Sequence, residues 1–300
     1  MSSRRTGLLL TTIASLLWGT TFIASQVGFQ YTNPYNLVFL RFAAAAVVIV
    51  IFALPFDNKV GLKRELRKES TWLVGGVYAL GFLLQFVGQD LTTASEATLL
   101  SNLAPILVPT VALAFLKDSM ANAQKVATAL GFAGLFLVAS PRLSMGLTSV
   151  FGDVLLFGTS LCYTLFIVAS KRLRVGSVGR SFAYIVATSV FLAPVAVYFG
   201  GLNILDLKMG LAGWASVLYL GFPCTLIAIS LYLRGLSAVT VSESAMLLLL
   251  QILAGLVLAS ALLGEFLSPS QTIGAIAILS ALVLGVKTAS KRNWSSSQAA

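Results

Sequence analysis

Hydrophobic positions in this chain fall in long blocks separated by short polar gaps. At about 20 apolar residues per bilayer crossing, the blocks predict ten helices. They cover approximately 7–29, 36–56, 71–90, 96–116, 122–140, 150–170, 180–199, 211–233, 242–263 and 270–287. The gaps carry turn or start signals: Asn33 with Pro34, Ser140 with Pro141, Gly200 with Gly201, and Ser268 with Pro269. The last pair reads as a helix start, with Ser268 as N-cap, Pro269 at N1 and Gln271 at N3. The chain turns polar near Lys291, so residues 288–300 are expected to form a disordered cytoplasmic tail.

The block pattern occurs twice. Ser95 and Glu96 open an apolar run to Leu116, followed by Asp118 and Gln124. At a shift of 147 come Ser242 and Glu243, a run to Leu263, then Glu265 and Gln271. At a shift of 145, Gly7/Gly152, Ser15/Ser160, Leu16/Leu161 and Ser25/Ser170 coincide. One unit of about half the chain is duplicated, as 7–140 and 150–287. Each unit holds five spans, an odd number, so the second copy must run through the membrane in the opposite direction. The predicted fold is therefore all-α and integral to the membrane, with ten transmembrane helices as two five-helix inverted repeats. Such repeats are the usual construction of secondary transporters.

Composition agrees: 58% of residues are hydrophobic and 10% charged, against roughly 45–50% and about 25% in soluble domains. The net charge of +10 does not form a basic face for nucleic acid; it lies in the gaps. With both termini inside, the inner gaps collect 17 Lys and Arg and the outer ones only Arg142 and Lys208, which makes both termini cytoplasmic. The expected location is the cell (inner) membrane, with multiple passes. There is no His, the commonest metal ligand and general base, and neither metal nor cofactor is implied. Cys162 and Cys224 both fall in apolar runs and read as packing thiols. The chain lacks a phosphate-binding G-x-x-x-x-G-K-[ST] motif. An intramembrane enzyme would need paired midplane carboxylates or a nucleophile–base pair, and a scaffold or sensor would need an output domain; none is evident.

Three sets of residues are candidates for chemistry. Gln85, Asn102 and Gln251 are amides in apolar segments, near Ser101, Thr225 and Ser244. They either bond helix to helix or line a cavity with Trp18, Phe22, Tyr78, Phe82, Tyr163, Phe166 and Phe222. Arg41 lies toward the outer end of the second span, in a layer with Asp90 and Glu96; Glu243 with Arg180 or Arg234 is the inner counterpart. Glu96 and Glu243 either complement their helix N-termini behind Ser95 and Ser242 or form alternating gates with those arginines. Asp118 and Glu265 read as structural at the hairpin ending each unit. Pro105 and Pro109, and Pro223 beside Gly221, interrupt spans and are hinge candidates or plain kinks.

The run Leu17-Trp18-Gly19-Thr20-Thr21-Phe22, Leu40-Arg41-Phe42, and Leu263-Gly264-Glu265 with Gln271 and Gly274 resemble the EamA-repeat branch of the drug/metabolite transporter superfamily. The resemblance covers nearly the whole chain and is greatest to amino-acid exporters of the YddG type. Asp118 stands where that family usually has Glu, and Ala127 where the second copy has Gly274. The resemblance implies export of small metabolites by alternating access. With Arg41 read as too far out to serve the midplane, and no midplane carboxylate, the lining is neutral. It suits a small zwitterion, a neutral or aromatic amino acid; drugs or other metabolites are the alternative. Five spans plus five in one chain make a monomer the default.

Overall fold

The computed structural model describes residues 4–104, 107, 122–139, 147–173, 177–201, 209–239 and 241–298, and every regular element among them is helical. The first block forms α1 (Arg4–Gly19) and α2 (Thr21–Gly28), which continue each other across Thr20. After the Asn33 cap, with Pro34 at N1 as the sequence signals, comes α3 (Pro34–Ala53). Two short helices, α4 (Asp57–Val60) and α5 (Leu62–Leu66), lead into α6 (Glu69–Asp90). Then come α7 (Ala94–Leu100), α8 (Asn122–Ala139), α9 (Leu147–Arg172) and α10 (Val178–Gly200).

The block at 211–233 departs from expectation. It forms α11 (Gly210–Gly221), a π-helical turn over Phe222–Ile227, and α12 (Ala228–Ala238). Pro223 has no N–H to give the Tyr219 carbonyl four residues back, and in the turn that follows the Thr225 hydroxyl donates to the Leu220 carbonyl at 2.8 Å. The chain ends with α13 (Val241–Leu263) and α14 (Pro269–Gln298). Helix α14 runs on to Gln298, through most of the segment expected as a tail. Its start is as the sequence predicts: Ser268 Oγ accepts from Gln271 N, and Gln271 Oε1 accepts from Ser268 N.

Six helical spans among the described residues are long and apolar enough to cross a membrane. They are Arg4–Gly28, Pro34–Ala53, Glu69–Asp90, Val150–Ser170, Val178–Gly200 and Gly210–Ala238. Shorter apolar stretches cover Lys125–Val138 and Leu250–Leu263. Large apolar side chains such as Leu9, Leu73, Tyr198 and Leu211 face outward, as a lipid-facing surface requires.

The halves interlock by exchanging partners. Helix α1 packs on α12, and α9 packs on α6. At the first contact a Cβ on Gly7 would meet the Gly235 carbonyl oxygen at 3.2 Å; at the second a Cβ on Gly152 would meet that of Gly88 at 3.2 Å. Gly7 and Gly152 differ by the 145 shift, and Gly88 and Gly235 by 147. One helix–helix contact is thus repeated as its own counterpart. Small residues at such crossings let backbones approach, which is how helices associate in lipid. Helices α8 and α14 meet the same way, Gly134 against Gly274.

Candidate functional site

The exchange of partners leaves a cavity of about 70 Å³ between the halves. One water needs roughly 10–15 Å³ on this measure, so the space suits a small organic molecule. From the first half it is lined by Trp18 of α1, Phe22 of α2, Tyr78, Phe82 and Gln85 of α6, and Asn102 following α7. From the second half it is lined by Tyr163 and Phe166 of α9, Tyr232 of α12 and Gln251 of α13. Nine of the eleven cavity candidates therefore meet in one place. Phe222 and Ser244 are not on the lining. Ser244 lies behind it, donating to the Tyr232 hydroxyl at 3.1 Å; Phe222 sits at the start of the π turn.

Helical spacing explains the aromatic face, because Tyr78, Phe82 and Gln85 are three and four residues apart and share one stripe of α6. Phe166 stacks on Tyr78 at 4.0 Å between ring centroids, and Trp18 tilts against Tyr232 at 5.0 Å. The amides do both things the sequence left open. Gln85 accepts from the Tyr163 hydroxyl, and Gln251 donates to Asn102 Oδ1, so they bond helix to helix while lining the space. Asn102 in turn donates to the Thr98 carbonyl at 2.7 Å.

Arg41 requires a correction. The sequence reading put it too far out to serve the midplane, with a gate to Glu96 as one alternative. It lies seven residues into α3, about 10 Å along the axis at 1.5 Å per residue. It is fully buried and lines the cavity. Its Nε donates to Thr225 Oγ1 at 2.5 Å and its Nη2 to the Cys224 carbonyl at 3.0 Å. The guanidinium sits 4.5 Å from the Phe82 ring centroid, with Phe42 and Phe86 at 5.6 and 5.7 Å. Such contacts contribute on the order of 0.5–2 kcal/mol each. The π turn makes this depth tolerable, since it supplies oxygens at the guanidinium's level. Trp18 Nε1 also donates to the Cys224 carbonyl, at 3.0 Å. Gly221 allows the approach: a Cβ there would meet the Arg41 carbonyl oxygen at 2.9 Å.

Glu96 and Glu265 resolve as helix caps. Thr93, not Ser95, is the N-cap of α7, and Glu96 is the N3 partner of a capping box. Glu265 reaches the same helix from the other half, its carboxylate accepting from Ala94 N at 3.1 Å and Ser95 N at 2.8 Å. Gln271 donates to Glu96. Motif residues of both repeats thus converge on one helix N-terminus.

On the far side of the bundle Arg180 pairs with Glu65, a partner that sequence reasoning missed. Nε donates to Glu65 Oε2 at 2.6 Å, Lys68 Nζ donates to Oε1 at 2.7 Å, and the carboxylate is buried. Burial alone would raise the Glu65 carboxyl, but bonds from Arg180 and Lys68 outweigh it and hold its pKa below the ordinary value. Arg234 and Asp90 are exposed. The Glu243 side chain, Pro105, Pro109 and Asp118 lie outside the described residues. Tyr232 was also missed, although it is the repeat counterpart of Gln85 and could have been found that way.

The profile of the EamA-like transporter family matches residues 5–140 and again 150–286. The chain belongs to the EamA-like transporter family. This EamA-family chain is a membrane transporter. It is 26% identical over 286 residues to the uncharacterized transporter YyaM of Bacillus subtilis, spanning 92% of this chain and 90% of that one. It is 29% identical over 233 residues to an uncharacterized transporter of Archaeoglobus fulgidus, covering 73% and 76%. The uncharacterized inner membrane transporter YedA of Escherichia coli is 25% identical over 278 residues, covering 90% and 87%. A solved crystal structure with 21% identity superposes with a TM-score of 0.69 over 94% of this chain and 98% of that one, which supports the fold.

Proposed function

We propose that this EamA-family protein is a secondary transporter exporting small zwitterionic metabolites, foremost neutral and aromatic amino acids. The cargo moves by alternating access through the cavity between two inverted five-helix repeats. The protein resides in the inner membrane with ten spans and both termini cytoplasmic. The observation that carries this reading is the cavity itself, in which aromatic faces and amide ends from both halves surround a space sized for one small molecule. An aromatic side chain would stack where Tyr78, Phe82 and Phe166 already pack ring on ring, while Gln85, Asn102 and Gln251 would meet the polar end. Exchanging the conformations of two inverted units opens one site to either side in turn.

The test is efflux from proteoliposomes preloaded with labelled phenylalanine, with no ion gradient. Efflux that other neutral amino acids compete for, and that Trp18→Ala slows at least several-fold, is the expected result. No efflux under any gradient removes the amino-acid reading.

A further inference from the structure

Among the described residues lining the cavity, Arg41 is the one charged side chain. A guanidinium stays protonated in a protein and carries five N–H donors with no acceptor. Here Nε and Nη2 are engaged at Thr225 and the Cys224 carbonyl, and both acceptors are neutral. Nη1 is buried and finds no acceptor among the described residues. A buried donor of this kind is costly to leave unmatched, and a buried charge more so. Aromatic faces at 4.5–5.7 Å answer the charge only in part.

We propose that Arg41 is the residue that recognises the cargo, with Nη1 donating to a carboxylate bound in the cavity. This rests on the amino-acid reading but goes further, because it makes the carboxylate the required group. The two engaged nitrogens fix the plane of the fork, so Nη1 is oriented before the cargo arrives. Aromatic rings on the neighbouring wall then select an apolar or aromatic body. A compound of the same shape with a neutral amide can accept from Nη1 but leaves the charge unanswered, and one with a lone amine offers neither acceptor nor opposite charge; both bind more weakly.

Calorimetric titration of the purified full-length protein tests this with four probes: phenylalanine, 3-phenylpropionate, phenylalaninamide and phenethylamine. The two carboxylates are expected to bind at least about tenfold tighter than the two compounds lacking one, the factor for losing one charge-assisted hydrogen bond. Arg41→Gln should abolish that preference, and Arg41→Lys should restore part of it. Because the four-probe comparison is made on the unaltered protein, it stands even where a variant fails to fold. Phenylalaninamide binding as tightly as phenylalanine would overturn the assignment of Arg41 while leaving the cargo reading in place. Binding of 3-phenylpropionate but not phenylalanine would uphold Arg41 and remove the amino-acid reading. No binding of either carboxylate overturns the inference.

Discussion

Replacing Glu65 by Gln separates a structural ion pair from a surface decoration. The carboxylate is 3% exposed and accepts two short charge-assisted bonds, 2.6 Å from Arg180 and 2.7 Å from Lys68. Each such bond contributes about 1.5–3 kcal/mol. Lys68 is 37% exposed and returns to water when released, so its share is near that of a surface pair, at most about 1 kcal/mol. Arg180 is 17% exposed and keeps its bond to the Leu173 carbonyl, so the loss there is partial. The substitution should therefore destabilise by roughly 2–3 kcal/mol, less than the about 3–5 kcal/mol of a fully buried pair broken on one side. Denaturant unfolding in mixed micelles, followed by circular dichroism, measures this. A double-mutant cycle with Arg180→Gln should return a coupling of about 1 kcal/mol or more. The pH dependence has a definite sign. Because the folded carboxyl lies below its ordinary value, its contribution is complete above that value, about 4.3. It is lost as pH falls through the lowered folded value. Wild type should lose this increment in acid and Glu65→Gln should not. Zero coupling, or equal acid sensitivity in both proteins, would refute the reasoning.

Two further substitutions probe the contacts between halves. Glu265→Gln removes the charge that receives Ala94 N and Ser95 N at the start of α7. A cost of about 1–2 kcal/mol is expected, read from the same unfolding curve; an unchanged midpoint would show that the cap contributes nothing. Gly274→Leu places side-chain atoms where even a Cβ meets the Gly134 carbonyl oxygen at 2.7 Å. It should shift α14 off α8 at a cost of at least about 1–3 kcal/mol, seen as lost monodisperse protein on gel filtration, and wild-type yield and thermal midpoint would contradict the close contact.

What the sequence revealed depended on the range of the signal. Block length and repetition are local, so the spans at α3, α6, α9 and α10 fall within a few residues of the expected positions. Amides amid apolar residues stand out, and Gln85, Asn102 and Gln251 do reach the cavity. Arg41 was left off the cavity lining because a single block does not show what packs beside it. Its acceptors lie 183 and 184 residues away, on a turn that the sequence signals only as an interruption at Pro223. Glu65 looked like part of a basic loop, since its partner is 115 residues on. The caps were anticipated by type, yet Glu265 serves the other half's helix rather than its own hairpin.

The duplication itself separates scaffold from specificity. The glycines that keep their identity across the halves sit at helix crossings. Gly7 and Gly152 oppose Gly235 and Gly88. Ser160 bonds across to the Leu100 carbonyl, whereas its counterpart Ser15 bonds the Thr11 carbonyl within its own helix. Positions lining the cavity do not keep theirs. The contact of Trp18 with Tyr232 becomes that of Tyr163 with Gln85, aromatic on aromatic in one case and a hydrogen bond in the other. At the 145 shift Arg41 becomes Val186, a half-buried apolar residue packed against the core. A pocket formed by two identical halves would carry two guanidiniums facing one cargo, with mutual repulsion and a double anionic requirement. With valine at the counterpart position, the cavity keeps a single guanidinium among its described lining residues. That asymmetry is the chemistry an amphiphilic monocarboxylate would need.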